Sequence, residues 1–151
     1  MNTVYRFRIY PNKTQRELFA KTFGCVRFVY NRMLAEKKEH YKKTGKNLSV
    51  TPASYKSEFP WLKEVDSLAL CNAQLHLQTA YKNFFCDASV GFPKFKSKKK
   101  PVRNYTTNCV NGNIVLQNGK LKLPKAGWVR MKQHRKIEEG FQLKGATITQ
   151  E

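Results

Sequence analysis

Apolar and polar residues alternate at the start of the chain: Tyr5, Phe7 and Ile9 fall on one side of Thr3–Tyr10, and Val4, Arg6, Arg8 and Tyr10 on the other. That period of two predicts a half-buried strand. Pro11 stops it, and Asn12 is placed to cap the helix that follows. From Lys13 to Phe23 the period becomes helical, with Leu18, Phe19, Thr22 and Phe23 recurring on one face, and Gly24 reads as an interruption. A second helix is expected from Cys25 to Lys43, its core face made by Val26, Val29, Tyr30, Met33 and Tyr41, and Gly45 ends it. Ala20, Gly24 and Tyr30 have the spacing of a helix-turn-helix, although any tight helical hairpin shows the same pattern.

Asn47 to Phe59 carries no clear period; Thr51-Pro52 reads as the cap and first turn of a short helix, and Pro60-Trp61-Leu62 as an apolar anchor. A third long helix is predicted over Asp66–Asp87, with Leu70, Ala73, Leu77, Tyr81 and Phe84 on its apolar face. The basic run Gly91–Lys100 follows, and after Val102 the pattern turns to strands. Ile114-Val115-Leu116, the Asn118-Gly119 turn and Leu121-Lys122-Leu123 predict a hairpin, with further strands at Trp128–Met131 and within Gly140–Gln150. The fold class expected is α+β: a small antiparallel β-barrel that begins with the first strand, and an inserted helical lobe containing the helix-turn-helix-like hairpin. The divisions expected are 1–10 for the first strand, 11–90 for the lobe, 91–101 for a basic linker and 102–151 for the rest of the barrel.

Charge decides what such a fold is for. The 151 residues hold 29 Lys+Arg against 10 Asp+Glu, a formal net charge of +19, which points to a polyanionic partner. The surplus is spread along the chain, so a basic tail does not account for it. No apolar run approaches the roughly 20 residues that span a bilayer, and a strand carrying Arg6 and Arg8 does not read as a signal peptide. The expected setting is the prokaryotic cytoplasm, near the nucleoid, with nucleic acid as partner and no membrane. Cys25, Cys71, Cys86 and Cys109 contain no CxxC pair and read as buried free thiols rather than a metal site.

The candidate contacts follow from faces and runs. Arg27, Asn31, Lys38 and Lys42 lie within about 60° of one another on the second helix, a stripe suited to a phosphate backbone. Ser67, Gln74, Gln78 and Lys82 share a flank of the third helix with Cys71, and a Gln amide offers a donor and an acceptor together to a base edge. Lys94, Lys96, Lys98, Lys99 and Lys100 need only stand near phosphate, and Phe92, Pro93 and Phe95 hold the start of their run. Arg6, Arg8, Arg103, Lys122 and Arg130 add cations from the strand segments.

Taken in order, YRFRIYPNKTQ, FGCVRFVYNRML, WLKEVDSLALCNAQLHLQTAYKNFF, GFPKFKSKK and GKLKLPKAGWVRMK resemble the N-terminal half of the TnpB (OrfB) family, transposon-encoded RNA-guided nucleases related to type V CRISPR effectors. The resemblance covers almost the whole chain. It implies a wedge-type barrel with an inserted recognition lobe, which together hold a guide RNA and read a short motif beside a duplex DNA target. The family's RuvC-like nuclease and zinc ribbon lie beyond the matching motifs, so the chain is expected to be a fragment, with a separate nuclease half as a possible further partner.

The residues agree on the missing chemistry. The acidic residues are few and scattered, His40, His76 and His134 are isolated, and no phosphate loop, nucleophile elbow or HExxH occurs. No catalytic residue, metal ligand or cofactor is expected in this chain. A stand-alone helix-turn-helix DNA binder, such as a repressor or transposition accessory factor, is the alternative; a self-sufficient strand-transfer enzyme lacks the acidic cluster it needs.

Overall fold

The structure, a computed structural model, describes residues 2–99 and 103–150. In chain order it contains β1 (Arg8–Tyr10), α1 (Lys13–Thr44), α2 (Ser67–Cys86), β2 (Asn104–Asn108), β3 (Val115–Gln117), β4 (Lys120–Leu123), β5 (Gly127–Lys132) and β6 (Gly145–Thr149). Short 3₁₀ turns occupy Pro52–Tyr55, Pro60–Glu64 and Ala88–Val90. The fold is α+β, antiparallel in its strands, with the helices inserted between strands from the two ends of the chain.

Gly24 does not interrupt anything. Lys13 to Thr44 is one helix of 32 residues, so the expected pair of helices, and the turn between them, are absent. The reason is packing: Phe19, Thr22, Cys25, Val26, Val29, Tyr30, Met33 and Leu34 are all buried along one face that runs straight past residue 24. Against that, a helical glycine costs only about 1 kcal/mol relative to alanine. The ends follow their capping residues. Asn12 and Gln15 form a reciprocal capping box, and Gly45 closes the helix in the left-handed conformation (φ 69°).

From Asn47 to Asp66 the chain runs back down α1. Tyr55 donates to Glu36, Glu58 meets Arg32, the rings of Phe59 and Trp61 pack on Phe28 at 4.8 and 4.9 Å, and Glu64 meets Lys21. Trp61 is therefore the anchor its sequence context suggested. Having returned, the chain starts α2 at the same end where α1 started, and the two helices run in the same sense. Phe19 and Phe23 of α1 reach Tyr105 in β2, while Lys37 lies over the ring of Tyr81 near the far end of α2.

The strands form two pieces. A four-stranded sheet has the order β1-β5-β4-β3, and β2 pairs with β6 in a separate ribbon. The Asn118-Gly119 turn joins β3 to β4 with φ of 52° and 71°, the left-handed pair a two-residue hairpin requires. The first strand is shorter than its alternation suggested, because only Arg8–Tyr10 finds a partner, in β5. Ile9, Leu121, Leu123, Val129 and Met131 turn inward, and one continuous core links the first four to α1, α2 and the ribbon residues Tyr105 and Ile148.

The junction of α2 with the ribbon is polar and buried. Asp66 caps α2 by accepting from the Leu68 amide at 3.0 Å, and its other oxygen accepts from the Thr107 hydroxyl. One turn on, the Asn72 amide donates to the carbonyls of Leu68 (2.9 Å) and Thr106 (3.1 Å). The strands of the ribbon approach so closely here that a Cβ on Gly145 would stand 2.6 Å from the Thr107 carbonyl oxygen.

Two stability tests follow. Asp66→Ala removes a helix cap, a loss of about 0.5–2 kcal/mol, and strands the fully buried Thr107 hydroxyl, a further loss of about 1–3 kcal/mol. Urea unfolding should show a total of about 1.5–5 kcal/mol, and adding Thr107→Val should cost little more, since the two residues act as one unit. Gly24→Ala should raise the unfolding free energy by about 0.5–1 kcal/mol, because residue 24 is helical and a Cβ there meets nothing within 4 Å. Destabilisation by this substitution would restore the turn.

Candidate nucleic-acid interface

The basic run after α2 is not a free linker at its start. Phe92 packs edge-on against Tyr81 and Phe84, both at 5.4 Å, and Pro93 is buried. Lys38 of α1 lies over the rings of Phe92 (5.1 Å) and Phe95 (4.7 Å). Asn31 then clamps the backbone of Lys96 from both sides: its carbonyl oxygen accepts from the Lys96 amide at 2.8 Å, and its amide donates to the Lys96 carbonyl at 3.0 Å. The Lys96 ammonium rests 4.5 Å from the centre of the Tyr30 ring, and burial lowers its pKa. Much of the basic stripe on α1 is thus a seat for a second basic segment of the same chain.

That docking brings cations together one turn lower. Phe23, Gly24, Arg27, Lys98, Arg103 and Gln150 line an open groove of about 290 Å³. Gly24 leaves its floor open, Arg27 projects from α1, Lys98 arrives with the docked segment, and Arg103 leads into β2. Three sequence-predicted residues from three parts of the chain therefore converge. No carboxylate is among the described residues that line the groove. Cations held side by side without a counter-charge repel one another, and a phosphodiester backbone relieves that repulsion.

The other predicted residues take up different places. On α2, Ser67, Gln78 and Lys82 are exposed, whereas the Gln74 amide donates to the Val50 carbonyl at 3.1 Å and steadies the returning segment. Arg6, Lys42, Lys94 and Lys99 are exposed, and Lys100 lies outside the described residues. Arg8, Lys122 and Arg130 stand on the solvent face of the four-stranded sheet. Their strand partners add Lys132 opposite Arg8 and Lys120 opposite Arg130, two cations the sequence reading passed over. The alternation of β4 and β5 carries the signal that finds them: Lys120 and Lys122, Arg130 and Lys132 each stand two apart. A second groove of about 540 Å³, bordered by Tyr10, Lys120, Arg130 and Lys132, lies on this face.

Several of the acidic residues are occupied elsewhere. Glu36 is held by Arg32 and Tyr55, Glu39 by Lys43, and Asp66 and Asp87 cap helical turns. Among the described residues no three His, Cys, Asp or Glu side chains gather where they could share a metal ion, so the carboxylate cluster of metal-assisted phosphodiester hydrolysis is not present in them. The cysteines are free, but only Cys25 is fully buried; Cys109 is half-buried, and Cys71 and Cys86 fall on the solvent side of α2. Burial, reinforced by Glu64, pushes the Cys25 thiol up to about 11, which keeps it unreactive.

Residues 1–46 match the helix-turn-helix domain of the IS605 OrfB type. These residues define the class: a basic α+β chain whose N-terminal part is an OrfB-type domain, realised here as one strand and one unbroken helix. The chain is 36% identical over 107 residues to the virulence protein VsdF of Salmonella dublin, covering 60% of this chain and 88% of that one. It is 30% identical over 155 residues to a Streptomyces pristinaespiralis protein named "Putative RNA-guided DNA endonuclease" (97% of this chain, 38% of that protein). InsQ of Escherichia coli K12, which bears the same description, is 30% identical over 141 residues (88% of this chain, 34% of InsQ). The chain belongs to one family with VsdF, and through the matched domain and the two longer relatives it is a distant homologue of the TnpB/OrfB RNA-guided nucleases. It spans little more than a third of the length of those two relatives.

Asn31→Ala tests the clamp. Both hydrogen bonds to Lys96 vanish, and about 1–2 kcal/mol of local stability with them. Amide exchange in residues 92–98 should quicken by roughly 5- to 30-fold while exchange in the middle of α1 stays unchanged. Equal acceleration in both would mean that Asn31 supports the helix rather than the segment.

Proposed function

We propose that this chain is the nucleic-acid-holding part of a TnpB-like system, gripping a guide RNA and reading a short motif in duplex DNA beside the target. The strands act as the wedge barrel and the two helices as the recognition lobe, with the cutting chemistry supplied by a separate nuclease part. The observation that carries this reading is the groove at Gly24, where Arg27, Lys98 and Arg103 converge without a facing carboxylate among its described lining residues. Distant homology to proteins described as RNA-guided DNA endonucleases supports RNA as the partner of that charge.

Roles divide by environment. Arg27, Lys98 and Arg103 contact phosphate in the groove, and Lys42, Lys82, Lys94, Lys99 and Arg6, exposed outside its lining, contact it elsewhere; Lys100 is assigned with them from the sequence. Ser67 and Gln78, exposed on α2, are the residues available to base edges. Asn31, Lys38, Gln74 and Lys96 position these groups, since each is engaged with another part of the chain. A stand-alone helix-turn-helix DNA binder needs a turn to present its second helix to the major groove, and the continuity of α1 weighs against it.

Structured RNA from the transposon end should bind in preference to random duplex DNA. If about six phosphates are neutralised, affinity falls by roughly three decades between 50 and 200 mM salt. Arg27→Gln, Lys98→Gln and Arg103→Gln should each flatten the slope by about one unit, with Gln78→Ala changing preference among DNA targets by about 1–3 kcal/mol when a nuclease part is supplied. Filter binding and electrophoretic shift measure both. Equal affinity and equal salt slopes for the RNA and the duplex would defeat the RNA reading.

A further inference from the structure

The solvent face of the four-stranded sheet has a composition that phosphate binding alone does not require. The strand register sorts it into three rows. Arg8 stands opposite Lys132; Tyr10, Arg130, Lys120 and Gln117 form the next row; Trp128, Lys122 and Val115 form the last. Five cations and two large aromatic side chains share the face, and no strand residue on it is acidic. Tyr10 is 45% exposed and Trp128 44% exposed, against the inward Val129, which is fully buried. They lie on adjacent strands, two residues out of register, with Arg130 between them. Diagonal neighbours of this kind are about 7–8 Å apart, so the rings can be engaged together.

We propose that this face is a stacking platform for unpaired RNA, in which Tyr10 and Trp128 each take a base and Arg8, Lys120, Lys122, Arg130 and Lys132 hold the backbone. The inference rests on the RNA reading given above and adds the part of the RNA that is bound and the way it is bound. Exposed aromatic rings between cations suit single strands because every base has a π-face. A duplex keeps its bases stacked on one another and offers the rings nothing, whereas the loops and ends of a folded RNA present splayed bases. A protein partner is a poor occupant: covering five cations with no carboxylate of their own would demand as many acidic groups from it, since unpaired buried charge is heavily penalised. The face also stands apart from the Gly24 groove, whose lining shares none of its residues. One RNA can therefore lay a paired segment in the groove and an unpaired segment on the sheet.

The chain's two tryptophans make the test direct. Trp61→Phe keeps a ring packed on Phe28 and leaves Trp128 as the sole indole. In that background, single-stranded oligouridylate should quench the fluorescence and shield it from acrylamide. Tyr10→Ala and Trp128→Ala, each in the otherwise native chain, should weaken oligouridylate binding by about 5- to 100-fold, the equivalent of one lost stacked base. Their salt slope should stay unchanged and Trp128→Phe should restore most of the affinity. Lys120→Gln with Lys122→Gln should instead flatten the salt slope by about two units; both lysines are exposed, so the fold has no need of them. Oligouridylate that binds without quenching, and equally well to both alanine variants, overturns the platform and leaves the RNA reading standing. Absence of binding to every RNA overturns that reading and the platform with it. Binding of oligodeoxythymidylate as tight as that of the RNA overturns the assignment to RNA, and quenching that grows with protein concentration alone assigns the face to a second copy of the chain.

Discussion

The rest of the structure depends on one buried carboxylate. Asp66 sits where the returning segment ends, α2 begins and the ribbon passes, and its two oxygens serve two different elements. One satisfies an amide that the first turn of α2 leaves without a partner, and the other receives the Thr107 hydroxyl. Asn72 extends the fastening by a turn, to Thr106. Without these bonds the junction would bury unpaired polar groups; with them, the helical layer has a fixed place relative to β2, and Arg103 enters the groove from a defined direction. The close approach at Gly145 tightens the same junction from the other side.

The groove at Gly24 shows how a fold gathers charge without a local motif. Arg27, Lys98 and Arg103 are far apart in sequence, and each arrives by a different device: a helical face, a segment clamped by Asn31, and the entry to a strand. The clamp is made of neutral groups. An asparagine amide can hold the backbone N–H and C=O of one residue by donor and acceptor at once, so it draws a lysine-rich segment onto an already basic helix without adding negative charge to the place where cations must remain available. Lys38 does similar work through the π-faces of Phe92 and Phe95. The free energy that packs these aromatics offsets the repulsion of the lysines around them.

Much of this fold is legible in the sequence. The α2 limits, the Asn118-Gly119 hairpin, β5 and β6 all follow from periodicity and turn chemistry, because in each the local preference and the tertiary environment agree. Gly24 was misread because its local meaning, a break, loses to a buried face extending on both sides of it. Within the strand region expected after Val102, β2 has no distinct pattern of its own because Asn-Tyr-Thr-Thr-Asn is mostly polar: its inward positions are Tyr105 and Thr107, and Thr107 is tolerated there only by its bond to Asp66. The candidate residues divide in the same way. Helical spacing placed Arg27, Asn31 and Lys38 on one face, but no spacing rule reveals that Asn31 and Lys38 would be engaged by a segment more than fifty residues later. Arg103 and Lys98 belonged to a basic background until the topology brought them to Arg27.

The shared direction of α1 and α2 has an electrical consequence. Aligned peptide dipoles leave roughly half a positive charge at a helix N-terminus and half a negative charge at its C-terminus. A pair of helices running in opposite senses would cancel much of this at either end, but here both amino ends meet the strand layer. The first turn of α1 contains no acidic residue to neutralise its share, while Lys42 and Lys43 stand in its last turn, beside the negative pole. At the strand end Asp66 offsets the share of α2 and only the pole of α1 stands uncompensated, while at the other end of α1 Lys42 and Lys43 more than cancel the negative pole. Both ends of α1 are therefore electropositive, one through its backbone and the other through its side chains.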